Sequence, residues 1–186
     1  MHVAPAQPAI PPANTLGLRW LAGFHPDPPG CLDAWAAGGL ADIPLQHLSV
    51  VRVSATLGIR ACRQLDPIGP VLHSVRCGVV EFVVAPTSMT WSLSGVGELV
   101  GGGVLSCPPP GRALPVRGAP YWLVDPDGVG RLMDITRVIE ALHNQYQHFV
   151  REDERPANGG DTGPGPRTQL PAAAFLAGVR RAGAGV

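Results

Sequence analysis

The chain has 186 residues, 45% hydrophobic and 15% charged, a balance that excludes both a fully disordered chain and two large domains. Its 24 glycines and 21 prolines predict flexible ends around one packed core. Fourteen basic residues, all of them Arg, balance fourteen acidic ones, so no excess of charge points to a nucleic-acid backbone, a membrane surface or an acidic ligand.

The first stretch, Met1 to Asn14, lacks Arg and Lys and is broken by Pro5, Pro8, Pro11 and Pro12. It reads as a Pro/Ala-rich disordered tail rather than a signal peptide. Leu18, Leu21, Cys31, Leu32 and Trp35 then recur at helical spacing. Asp27-Pro28 supplies an N-cap and a first-turn proline for a short helix around Gly30 to Ala37. His47 to Val53 is a β-branched run of strand length, and it leads directly into a helix over Ala55 to Leu65 with Leu57, Ala61 and Leu65 on one face. Val71 to Val75 and Val79 to Val84 flank Arg76-Cys77-Gly78 as a hairpin, whose second strand is expected to be central.

Pro86 to Leu93 reads as a short helix with Trp91 turned to the core, and the glycines of Gly95 to Gly103 argue against any regular element there. Val104 to Cys107 and Tyr121 to Val124 are short strands near a sheet edge, ended by Pro108-Pro109-Pro110 and by Asp125-Pro126-Asp127-Gly128. Asp134 to Arg151 is the clearest element. Ile135, Val138, Ile139, Leu142, Tyr146 and Phe149 follow steps of three and four behind the N-cap Asp134, which predicts an amphipathic helix on the sheet. Beyond it, residues 153–186 read as a flexible linker with a short terminal helix in which Leu170, Phe175, Leu176 and Val179 are the candidate partner-binding residues. These segments predict a single α/β or α+β domain over residues 15–152, with a mixed or mainly antiparallel sheet of four to six strands backed by helices.

Chemistry has thinner support. The glycine stretch has Val100 where a dinucleotide fingerprint needs glycine, and a chain without lysine has no Walker loop. G-x-S-x-G is absent. Asp125 and Asp127, two residues apart, are the only metal candidates, and Pro126 and Gly128 make a turn the simpler reading. His143 and His148 are five apart on the last helix and face away from each other, so both are expected in solvent. His25, Cys31, His47 and His73 could meet in the fold, but nothing in the sequence shows that they do. Cys31, Cys62, Cys77 and Cys107 form no C-x-x-C pair and read as small buried thiols in a reducing compartment. Trp20, Trp35, Trp91 and Trp122 are expected in the core rather than on a stacking platform.

The order of landmarks resembles small actinobacterial proteins related to the N-terminal domain of bifunctional DNA primase/polymerases. The likeness rests on Trp20-Leu21, Leu32 to Trp35, Val50 to Leu65, Gly69-Pro70-Val71, Val79 to Val84, Trp91, Pro109-Pro110-Gly111 and Trp122 to Gly128, within residues 15–150. It implies nucleotidyl transfer or nucleic-acid binding, for which acidic metal ligands would be needed on a strand. Val50-Val51-Arg52-Val53 supplies none, and Glu81 is the one acid in a well-marked strand. The expectation is therefore a non-enzymatic regulatory or protein-interaction module of a bacterial cytoplasm, with no cofactor, no membrane and an unidentified protein partner. The primase/polymerase-like activity is the alternative.

Overall fold

The computed structural model describes residues 15–66, 69–93, 96–111 and 118–153. The tails, with Leu170, Phe175, Leu176 and Val179, lie outside the described residues. The elements in order are α1 (Thr15–Ala22), α2 (Pro28–Ala36), β1 (Ala41–Pro44), β2 (Ser49–Ser54), α3 (Ala55–Gln64), β3 (Val71–Ser74), β4 (Val79–Val84), β5 (Ser92–Leu93), β6 (Gly97–Val100), β7 (Val104–Cys107), β8 (Tyr121–Val124) and α4 (Ile135–Asp153). None of these helices is long and apolar enough to cross a membrane.

Local chemistry sets the element ends. Asp27 Oδ1 accepts the Gly30 N–H at 3.1 Å at the start of α2, and Pro28 fits the first turn, where an N–H has no intrahelical acceptor. Asp134 does the same for α4 by accepting the Thr136 N–H at 2.8 Å. At the β2–α3 step Ser54 makes no side-chain cap. Instead the Ala55 N–H donates to the Gly78 carbonyl at 2.8 Å, which ties α3 to the β3–β4 hairpin. That hairpin turns through a 3-10 turn, Val75–Cys77, and Gly78 at φ 64°, a left-handed conformation in which a side chain would be strained.

Six strands form one sheet in the order β5-β6-β2-β4-β3-β8, and β1 pairs with β7 in a second, two-stranded sheet. The strand pairs of both sheets are antiparallel. Between β3 and β8 the register slips at Val71/Leu72. Because side chains alternate along a strand, the six-stranded sheet has two faces with different covers. Val50, Leu72 and Val83 pack with Leu21, Cys31, Trp35, Ile43, Leu105 and Cys107 of α1, α2 and the β1–β7 pair. Val51, Val53, Val71, Val80, Phe82 and Val84 pack with Leu57 and Ala61 of α3 and with Val138 and Leu142 of α4. The result is an α+β domain with the sheet between two layers.

Four expectations are corrected. Residues 86–91 are not helical, and they hold no regular element before β5. The glycine stretch does hold a strand, β6, because Gly97 lets the backbone approach where a β-carbon would lie 2.6 Å from Val53 Cγ1 and 3.2 Å from the Trp91 ring. Phe149 leaves the apolar stripe of α4, 49% exposed, with the Arg60 guanidinium 5.9 Å from its ring centroid. Cys77 is exposed on the hairpin turn and Cys62 only partly buried, whereas Cys31 and Cys107 are in the core. Of the four tryptophans, Trp35 is buried with its Nε1–H on the Cys107 carbonyl, and the other three are partly buried against the two core clusters.

Candidate functional site

Arg52 stands in the middle of β2, paired across the sheet with Glu81 on β4 and with Glu98 on β6. Directly opposed residues project to the same face, so three adjacent strands present the row Glu98, Arg52, Glu81. The row lies two residues along from Val50, Val83 and Val100 on the face covered by α1, α2 and the β1–β7 pair. The cover does not fully extend over it. The Glu81 side chain is 6% exposed, Arg52 28% and Glu98 50%, so burial falls away from β4 toward β6.

The geometry of the row is specific. Arg52 donates from Nε and Nη2 to Glu81 Oε1 at 3.0 and 2.8 Å, and Ser74 Oγ–H donates to Glu81 Oε2 at 2.8 Å. Both carboxylate oxygens are thus satisfied, the condition under which a buried charge is tolerated. Arg52 Nη1 lies 4.0 Å from Glu98 Oε1, an ion pair without a hydrogen bond. Cys107 lies near the buried end of the row. Burial pushes its thiol well above the usual range, and Cys31, Glu81 and Asp42 raise it further. Burial likewise pushes the Cys31 thiol up to about 11, with the Asp27 carboxylate adding to the effect. Neither thiol is an accessible nucleophile, because nucleophilic attack requires the thiolate.

The sequence-predicted candidates are engaged elsewhere. Asp125 Oδ1 accepts the Gly111 N–H at 2.9 Å, and Asp127 Oδ1 accepts the Val129 N–H at 2.9 Å, so each carboxylate closes a loop. His25 Nδ1 accepts the Asp27 N–H at 3.0 Å, while His73 Nδ1 lies 3.0 Å from the Tyr121 hydroxyl. Burial lowers the His73 pKa from 6.5. His47, His143 and His148 are exposed. Among the described residues no group of three or more His, Cys, Asp or Glu side chains could hold a metal ion.

Sequence reasoning missed the row because it denied β6 and so placed Glu98 in a loop. The signal was present in Gly97-Glu98-Leu99-Val100, where one acid interrupts apolar residues as Glu81 does in β4. The row also bears on the two-metal chemistry implied by the primase/polymerase resemblance. That chemistry needs carboxylates converging on cations, and here a guanidinium fills the position between the two strand acids. These residues do not fit such a centre. No family model, curated protein or solved structure matches the chain.

Proposed function

We propose that the chain is a non-enzymatic protein-interaction module of the bacterial cytoplasm. The observation that carries the reading is an apolar surface built from two distant segments. Gly128 packs directly against Leu16 at the start of α1, which brings Val129 to the same part of the surface. Leu16 is 68% exposed and Val129 72% exposed, and Gly130 lies beside Trp20, whose ring meets Phe24 edge-to-face at 5.0 Å. Exposed aliphatic residues set beside partly buried aromatics are a composition suited to protein docking. Four free cysteines, two of them in the core, support a reducing compartment.

The test is co-purification from the native host with the full chain, the double variant Leu16→Asp/Val129→Asp, and a deletion of residues 156–186. Both aspartates replace exposed side chains, so stability should stay within about 0.5 kcal/mol of wild type. The double variant should lose the partner at unchanged melting temperature. Loss with the deletion would assign docking instead to the segment carrying Leu170, Phe175, Leu176 and Val179. An identical set of partners in all three proteins, or metal-dependent nucleotide incorporation by the wild type, would overturn the reading.

A further inference from the structure

The geometry points to a binding site for a singly charged carboxylate at the outer edge of the Arg52 guanidinium. A guanidinium has five N–H donors in a planar fork. Two of the five, on Nε and Nη2, go to Glu81 Oε1. The remaining three, two on Nη1 and one on Nη2, make no hydrogen bond among the described residues, and the side chain is 28% exposed. The Nη1/Nη2 edge is the one whose two parallel N–H groups match the two oxygens of a carboxylate.

The fork is held in place before any ligand arrives. Ser74 fixes Glu81, Glu81 fixes the side edge of Arg52, and all three stand on adjacent antiparallel strands in the body of the sheet. Fixing these side chains in advance lowers the entropy that binding must overcome. Ser92, paired with Glu98 on the outermost strand, places an exposed hydroxyl-bearing residue on the same row.

Charge selects the ligand. With Glu98 facing Arg52 the row carries a net negative charge and repels any anion. With Glu98 swung into water the Arg52–Glu81 pair is neutral, and a single negative charge then meets less repulsion from the nearby acids than a doubly charged phosphate. Glu98 acts as a built-in competitor. Its carboxylate faces Nη1 at 4.0 Å without a hydrogen bond and is half exposed, so an arriving carboxylate can displace it into water.

Titration of the full chain with sodium acetate at constant ionic strength, followed on the Arg52 Nε–H resonance, tests this. A saturable shift is expected that sodium chloride does not reproduce and that inorganic phosphate produces only at higher concentration. Glu98→Gln should lower the half-saturation concentration about three- to fivefold by removing the competing charge. Arg52→Lys keeps a charge but loses the fork and should weaken binding about tenfold or more, read on the Ser74 and Ser92 amide resonances. A short peptide with a free carboxyl end, compared with its amidated form, separates a chain terminus from a small organic acid as the source. Equal response to chloride and acetate, phosphate binding more tightly than acetate, or an unchanged half-saturation in Glu98→Gln would each overturn the assignment.

Discussion

His73 shows how one side chain couples the fold to pH. Its Nδ1 sits 3.0 Å from the Tyr121 hydroxyl, the rings meet at 5.1 Å in an edge-to-face arrangement, and burial lowers its pKa from 6.5. A lowered histidine pKa means that the unfolded chain takes up the proton first as pH falls. The contribution of His73 is therefore complete above 6.5 and is lost as pH drops through its folded-state value. Melting temperatures measured between about pH 7.5 and pH 5 should fall more steeply for wild type than for His73→Phe, which keeps the ring contact and cannot titrate. Parallel curves would show that the burial of His73 has no thermodynamic weight. The four cysteines divide on the same physical ground: burial raises the thiols of Cys31, Cys62 and Cys107, while the hairpin turn leaves Cys77 open to solvent.

The docking of α3 onto the sheet depends on Gly58. A β-carbon there would lie 2.5 Å from Val80 Cβ and 2.9 Å from Val53 Cγ2, closer than real carbon atoms approach. Gly58→Ala gains helix propensity worth about 1 kcal/mol, but the clash with two β-branched side chains on a rigid sheet outweighs it. Chemical denaturation should show a net loss of about 1–2 kcal/mol, and a stabilised variant would mean that α3 can lift away at small cost. The elements were legible in sequence where periodicity and caps agreed. Asp27-Pro28 announced α2, the β-branched run from His47 to Val53 announced β2, Gly78 marked the hairpin, and the three-and-four spacing announced α4. Reading failed where the determinant was a distant contact. Sequence reading assigns Ala41-Asp42-Ile43-Pro44 to no element, and it becomes β1 by pairing with the distant Val104 to Cys107. Gly97 looks like a strand breaker, yet its missing side chain is what admits β6 beside Val53. With β6 unread, Glu98 and the charged row were unread too, whereas the Asp127 bond to the Val129 N–H was legible because it is local, and the Asp125 bond to the distant Gly111 N–H was not.

The whole molecule is two packed clusters that share one sheet. β2, β3 and β4 each give alternate residues to both sides: Val50 and Val51, Leu72 and Val71, Val83 and Phe82. Neither covering layer can depart without exposing strands that the other layer also needs, so unfolding should be cooperative. The probes to compare are separable by position. Trp20, Trp35 and Trp122 belong to one cluster and Trp91 to the other, so in a Trp91→Phe variant the remaining tryptophans report on the first cluster, while α3 and α4, which dominate the helical circular dichroism, cover the second. Thermal transitions followed by tryptophan fluorescence and by far-ultraviolet dichroism should coincide within about 1 °C. Separated midpoints would show that the layers melt independently. Much of this core joins residues far apart in sequence, with β1 pairing to β7 and β3 to β8, so folding on the millisecond-to-second scale is expected.

The register slip between Val71 and Leu72 governs what happens at the outer end of the sheet. β8 spans four residues, with Pro120 just before it and Pro126 two residues past its end, and neither proline can donate to a neighbouring ladder. A bulge also adds local twist, which turns a terminal strand out of the plane an incoming chain would need. Molecules meeting at this end thus find too little straight backbone to zip together. The irregularity that looks like imperfect pairing works against fibril growth through β8.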